Sequence, residues 1–115
     1  GLLGNGAAGW ELDCANTERG TPPHAIVVAS SFDHSDTVLL VNEEIGHMHP
    51  RIFGQINDRI RADMMFFETP RGGAVFSTGS IAYVSSLPCM NFDNNIATLT
   101  GNVIRRFCDP EPFAG

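Results

Sequence analysis

The clearest alternation of apolar and polar positions lies in residues 61–83, where two apolar runs flank a glycine-rich turn. Residues 63–68 are apolar in the middle and polar at both ends, and residues 74–78 form a second short apolar run. Between them, Pro70 presets a turn dihedral and the glycines that follow tolerate a positive φ. The pattern therefore predicts a β-hairpin whose second strand ends at a Gly-Ser pair that contains Ser80, as strands at ligand clefts often do.

Two more elements follow from the pattern. Residues 25–30 form an apolar, β-branched run without charge, which predicts a strand buried on both faces, as in a parallel sheet. In that case Val27→Asp should abolish soluble folding, because it would bury an unpaired charge.

Near the end of the chain, Asn94 or Asn95 is a suitable N-cap, and Pro110 stops the helix that follows. The apolar positions of this helix recur at helical spacing: Ile96, Leu99, Val103, Ile104 and Phe107. Strands mixed with helices favour an α/β fold.

Composition limits the classes of function. The 115 residues suit one small domain, or a segment of a larger one. The net charge is -6 and no basic cluster occurs, which argues against a nucleic-acid partner. No apolar run is long enough for a membrane helix, and no signal-peptide pattern opens the chain. The three cysteines are widely spaced, so neither a disulfide framework nor a zinc site is expected, and a reducing cytoplasm is the expected location.

Two short motifs suggest ligands, but both lack their usual context. Residues 4–9 match G-x-G-x-x-G, the dinucleotide fingerprint, yet only three residues precede them where a strand is needed. A close-packed loop is favoured here, and a structure with no helix after Gly9 would refute nucleotide binding. Glu44, His47 and His49 could bind a metal in a helix or in a strand, but no single conformation aligns all three. Adventitious metal, or none, is the favoured interpretation.

Two carboxylates are the candidates for chemistry. Glu11 and Asp13 occupy alternate positions beside Trp10, so an extended segment would place both on one face. A carboxylate beside an indole in a water-poor cleft can serve as a general acid or base. From the residues alone, solvated loop acids are the more common outcome. Ser80 has two interpretations, since its hydroxyl could satisfy backbone groups at the strand end or line a cleft.

Four stretches of the chain, taken in order, resemble the C-terminal part of the N,N-dimethylformamidase large (beta) subunit family: residues 7–13, 20–31, 66–83 and 92–107. The resemblance implies that residues 1–115 are a single domain or the C-terminal segment of a larger α/β domain. It implies a three-layer α/β/α fold similar to the class I glutamine amidotransferase group. It also implies a partner, which is the remainder of the large subunit or another chain of the complex.

The resemblance further implies a reaction, the iron-dependent hydrolysis of a small N-substituted amide to formate and an amine. In that family two tyrosines and a glutamate from an earlier part of the subunit hold the iron. Since Tyr83 is the one tyrosine here, the iron is expected in the complete assembly and not on this chain. Glu11 is expected to transfer protons or orient the attacking water, with Asp13 and Ser80 as support. The alternative is a non-catalytic structural or interaction module with an amidotransferase-like fold.

Overall fold

A computed structural model of the chain describes residues 4, 6–38 and 57–113. Three strands and two helices lie in these ranges, along with two short 3₁₀ segments at Thr17–Arg19 and Cys89–Phe92. In chain order the main elements are β1 (Ile26–Ser31), β2 (Ala62–Glu68), β3 (Ala74–Ser77), α1 (Tyr83–Ser86) and α2 (Asn95–Phe107). The described part of the chain therefore mixes helix and strand, as predicted.

The predicted hairpin is confirmed as β2 and β3. The two strands pair antiparallel, with Phe66 opposite Phe76. The turn between them is closed by the Thr69 N–H, which donates to the Gly73 carbonyl at 2.8 Å. Gly72 adopts a φ of 75°, the left-handed conformation that a glycine provides without steric cost. The turn residues predicted from the sequence thus set the register of the hairpin.

β1 differs from the prediction. It pairs antiparallel with β2 in a three-stranded sheet of order β1-β2-β3, with an irregularity in the register between Val27 and Ala29. None of its side chains is fully buried, and Val27 is 46% exposed. The prediction of a doubly buried strand in a parallel sheet is therefore wrong. The reason is that β1 lies at an edge of the described sheet, where its three consecutive apolar side chains stay in contact with solvent.

The apolar core lies between β2 and the two helices. Met64, Tyr83 and Ile96 form the buried cluster, and Ile96 is 0% exposed. Partly buried apolar residues surround this cluster: Ala7, Ala29, Phe76, Leu87 and Leu99. α2 begins where the sequence predicts, because the Asn94 side chain accepts a hydrogen bond from the Ala97 N–H at 2.9 Å. The terminal helix with one apolar face is therefore confirmed.

The glycine-rich motif at residues 4–9 does not open a helix. After Gly9 the backbone turns, and Leu12 forms an antiparallel bridge with Ser80. The nucleotide-binding interpretation is therefore wrong, because its fingerprint requires a helix N-terminus at this point. Across the described ranges, no helix has both the length and the apolar character needed to cross a membrane.

Candidate functional site

The segment that carries both candidate carboxylates begins with a tight turn. The Glu11 N–H donates to the Gly9 carbonyl at 2.8 Å, which closes a three-residue γ-turn around Trp10. Trp10 has a φ of 65°, and a γ-turn with a positive φ at its central residue is rare and strained. The Trp10 side chain is 95% exposed. The apolar packing of its side chain therefore does not hold this turn, and its stability has to come from the neighbouring backbone.

Ser80 anchors one end of the turn. Its buried hydroxyl donates to the Gly9 carbonyl at 2.9 Å and accepts a hydrogen bond from the Gly9 N–H at 3.0 Å. The same oxygen also lies 3.3 Å from the Ala82 N–H. The single proton and both lone pairs of the hydroxyl are thus used by backbone groups. Of the two interpretations of Ser80, the geometry is that of a hydroxyl that satisfies the backbone at a strand end.

Asp63 anchors the other end. It is 1% exposed, and its Oδ2 accepts hydrogen bonds from the Ala15 N–H at 2.8 Å and from the Arg61 Nε at 3.0 Å. Its Oδ1 accepts a hydrogen bond from the Ser30 hydroxyl at 2.7 Å. Its backbone N–H donates to the Asp13 carbonyl at 3.0 Å. One buried carboxylate therefore joins β1 and β2 to the segment that follows Glu11.

Sequence reasoning missed Asp63, although a signal was present. Arg61 and Asp63 are two residues apart at the start of a predicted strand, so their side chains share a face and can pair. The guanidinium gives the carboxylate an opposite charge, and it also donates to the Asp58 carbonyl at 3.0 Å and the Ala15 carbonyl at 3.4 Å. A buried carboxylate without such partners would cost several kcal/mol. The pair was therefore detectable, but its contact with residues 13–15 was not.

Gly79 lets the two anchors lie side by side. Its φ is 69°, and its carbonyl accepts a hydrogen bond from the Asp13 N–H at 2.9 Å. A Cβ at this position would overlap the Asp63 carbonyl oxygen and lie 2.8 Å from the carbonyl carbon. The glycine is therefore required both for its conformation and for the close approach of the two backbones. The close backbone approach predicted at the Gly-Ser pair is found here.

The carboxylates themselves stay outside this network. Glu11 and Asp13 are both exposed, and neither side chain has a hydrogen-bond or ion-pair partner among the described residues. The structure therefore brings Ser80 and the backbone of the turn together and leaves both carboxylates at the surface. The turn and its anchors fix the backbone of these residues, and their side chains make no contacts of their own among the described residues.

A cleft of about 490 Å³ lies between the N-terminal loop and the sheet. Small residues dominate its lining, and Phe32 and Met64 are its largest side chains. Its full lining is Gly6, Ala7, Ala8, Val28, Ala29, Ser30, Ser31, Phe32, Asp33, Ala62, Met64 and Thr78. Glu11, Asp13 and Ser80 do not belong to this lining. The cleft and the candidate residues are thus separate features of the described structure.

A metal site is not assembled within the described ranges. In residues 4, 6–38 and 57–113, no three His, Cys, Asp or Glu side chains come together in a group able to hold a metal ion. The Glu44, His47 and His49 set considered from the sequence lies outside the described residues. Tyr83, the single tyrosine, is buried and its hydroxyl bonds the Thr100 hydroxyl at 2.8 Å. The described residues therefore do not fit an iron centre.

The sequence of the chain matches a known family over most of its length. Residues 1–97 match the family model described as N,N-dimethylformamidase beta subunit-like, C-terminal. The chain belongs to this family. Within the N,N-dimethylformamidase beta subunit-like family, it is 40% identical over 112 residues to the N,N-dimethylformamidase beta subunit of Paracoccus aminophilus and 38% identical to that of an Alcaligenes species. Both alignments cover 97% of this chain, which spans only 15% of the length of either relative.

Proposed function

We propose that the chain is a segment of an amide hydrolase and supplies Glu11 as the proton-transfer group in hydrolysis of a small N-substituted amide. The observation that carries this proposal is the match to curated N,N-dimethylformamidase beta subunits over 97% of the chain. In that reaction, water attacks the carbonyl of an amide such as dimethylformamide, and the C–N bond breaks to give formate and an amine.

Glu11 suits proton transfer because its carboxylate is exposed, unpaired among the described residues and carried on a turn with two anchors. A carboxylate at this position would accept a proton from the attacking water and return it to the departing nitrogen. Asp13 and Ser80 would support it. Asp13 continues the same segment, and Ser80 holds the Gly9 end through its hydroxyl. Fixing the backbone that carries the base lowers part of the entropic cost of reaching the transition state.

In this proposal the iron is bound in the complete assembly and not by the described residues of this chain. The described residues do not fit an iron centre, so no step on the metal is assigned to them. The proposed ligands, two tyrosines and a glutamate, would lie in the remainder of the large subunit or in another chain. The sheet would be one part of a larger three-layer α/β/α domain of the amidotransferase type. The exposed apolar side chains of β1 are consistent with a further layer over that strand.

The test is Glu11→Gln in the complete polypeptide together with any subunits that purify with it. Glutamine keeps the size of the side chain but cannot accept and return a proton, so kcat for dimethylformamide should fall by about 100-fold to 10,000-fold. Metal content and the unfolding midpoint should stay at the parent values. Glu18→Gln is the matched control, because Glu18 is also exposed and lies only a few residues away.

The control should keep kcat within about twofold of the parent value, as is usual for exposed positions that do not take part in the reaction. Near-normal turnover of Glu11→Gln would reject the assigned role of Glu11. Absence of amide hydrolysis in the parent assembly would favour the non-catalytic module instead.

A further inference from the structure

The Asp63 carboxylate makes more bonds than a strand residue needs. A strand residue satisfies its backbone through the sheet, and its side chain needs no further partner when it faces water. Asp63 is instead buried, and its side chain accepts hydrogen bonds from three different parts of the chain: Ser30, Arg61 and Ala15. A buried charge is retained at a cost in desolvation, and its partners must compensate for that cost. The arrangement therefore favours a role in holding those parts in one relative position.

The bonds of Asp63 converge on one side of the Glu11 turn. The side chain binds the Ala15 N–H, and the backbone N–H binds the Asp13 carbonyl. On the other side of the turn, Ser80 binds both backbone groups of Gly9. Only Trp10, Glu11 and Leu12 lie between these anchors, and a strained γ-turn forms there. Strained backbone persists only where the surroundings fix it from several directions.

We propose that Asp63 is a positioning residue that fixes the Trp10–Glu11 turn, and with it the Glu11 carboxylate, through its hydrogen bonds to Ala15 and Asp13. The catalytic part of this inference rests on the proposed function of Glu11. Asp63 itself touches no substrate, because it is buried beneath the segment. Its effect is exerted on the orientation of Glu11, so it should appear in kcat and not in KM.

The experiment uses the complete polypeptide with its purified partners and five variants, one of them a control. Asp63→Ala removes all three side-chain hydrogen bonds. Asp63→Asn is its conservative counterpart, since the amide oxygen can face Ala15 and Arg61 while the amide N–H₂ faces the Ser30 oxygen. Ser30→Ala removes one bond, and Ser30→Thr restores a hydroxyl at the same place. Ser85→Ala, at an exposed serine of α1, is the control for a serine outside the network.

Two readouts separate positioning from general loss of stability. Hydrogen exchange followed by mass spectrometry reports the protected amides of Glu11, Asp13 and Ala15, and amides of the β2–β3 ladder serve as the internal reference. Steady-state kinetics with dimethylformamide gives kcat and KM. Asp63→Ala should accelerate exchange in residues 11–15 and lower kcat by about 100-fold, the loss expected when a reacting group moves by about 1 Å. KM should stay within about twofold, since no substrate contact is removed.

The other variants test the hydrogen bonds one at a time, and the conservative ones should return exchange and kcat toward the parent values. Ser30→Ala should accelerate exchange of Ala15 by about tenfold, because it removes the charge-assisted hydrogen bond that holds Oδ1 of Asp63. Ser30→Thr should return exchange to the parent rate. Asp63→Asn should recover at least about tenfold of the kcat lost in Asp63→Ala, because it preserves the acceptor for Ala15. If Asp63→Ala fails to fold, Asp63→Asn, Ser30→Ala and Ser30→Thr still decide the outcome.

Three results would overturn the proposal. Parent-like exchange in residues 11–15 of Ser30→Ala, and of Asp63→Ala where that variant folds, would show that the network does not hold the turn. Equal acceleration in residues 11–15 and in the β2–β3 ladder would assign Asp63 to stability alone. A faster-exchanging turn with unchanged kcat would separate Asp63 from catalysis. The proposed function fails separately, through normal turnover of Glu11→Gln, and in that case the exchange data alone decide whether Asp63 positions the turn.

Discussion

Asp63 and Met64 are neighbours on β2, but they hold the molecule together in different ways. Successive strand residues point to opposite faces, so Met64 joins the apolar cluster with Tyr83 and Ile96 while Asp63 joins the polar network. Apolar packing is non-directional and tolerates changes that preserve volume. Hydrogen bonds to a buried charge depend on the position of each donor. The face of the sheet that holds the Glu11 turn is therefore the one less tolerant of displacement.

The two faces can also be compared by how much each contributes to stability. Among the described residues the buried apolar cluster has three members, and a fully buried aliphatic side chain contributes about 1.5 to 3 kcal/mol. A hydrogen bond to a charged group contributes about 1.5 to 3 kcal/mol as well, before desolvation is subtracted. The core is thus small, and the polar network contributes to stability as well as to geometry. Substitutions on each face, with matched controls, can separate the two contributions.

The largest effect is expected for Gly79→Ala, which acts where the polar face is most crowded. A left-handed φ costs alanine about 1 to 2 kcal/mol. Overlap of the new Cβ with the Asp63 backbone adds about 1 to 3 kcal/mol. Urea unfolding followed by far-UV circular dichroism should show the combined loss. Circular dichroism is the suitable probe because Trp10 is already exposed in the folded chain.

Gly6→Ala is the matched control for this substitution. Gly6 has a φ of 68°, nearly the same as Gly79, but a Cβ there would meet nothing within 4 Å. It should therefore show only the conformational cost of about 1 to 2 kcal/mol. Equal losses for the two variants would mean that the contact between Gly79 and Asp63 is not tight in solution.

Ile96→Ala tests the apolar face and should have the next largest effect. Ile96 is completely buried, so the substitution leaves a cavity and should lower the free energy of unfolding by about 2 to 4 kcal/mol. Ile104→Ala on the same helix is the control, because Ile104 is 57% exposed. The control should lose less than about 1 kcal/mol in the same unfolding experiment. Similar losses at both positions would contradict the packing of α2 described above.

Tyr83→Phe tests the polar contact within the apolar face. It removes the hydrogen bond between the Tyr83 and Thr100 hydroxyls and leaves the ring in place. Thr100 keeps its bond to the Ile96 carbonyl at 2.8 Å, so no buried group loses its last partner. A loss of about 0.5 to 1.5 kcal/mol is expected from the unfolding midpoint. A loss as large as that of Ile96→Ala would make this hydroxyl pair a main determinant of the core.

Val27→Asp should have the smallest effect on the stability of the chain itself. Val27 lies on the exposed edge strand, so the new carboxylate would remain in water and need no partner. Its cost should be limited to strand propensity, about 1 kcal/mol at most. Soluble, cooperatively unfolding Val27→Asp protein would confirm that β1 is an edge strand. Failure to fold would reinstate the doubly buried strand predicted from the sequence.

The sequence predicted elements that depend on local signals. The hairpin follows from apolar runs around a Pro-Gly turn, and α2 follows from helical spacing after an asparagine N-cap. The orientation and burial of β1 could not be predicted, because an apolar run does not report which elements cover it. The role of Asp63 was also inaccessible, since its partners Ser30 and Ala15 lie 33 and 48 positions away in the chain. Glu11 and Asp13 were singled out by their spacing beside Trp10, whereas the backbone anchors on either side of Glu11 emerge only from tertiary structure.

The anchors of the Glu11 turn also set an order of assembly. Gly9 and its partner Ser80 are separated by 71 positions, and closing such a loop carries an entropic cost that local elements do not share. At a synthesis rate of roughly 5 to 20 residues per second, Ser80 is made roughly 4 to 14 seconds after Gly9. The turn lacks its Ser80 anchor during that interval, and Trp10 has no burial of its own to hold it. Residues 9–12 are therefore made well before the residue that anchors them, and they reach their final conformation only after it.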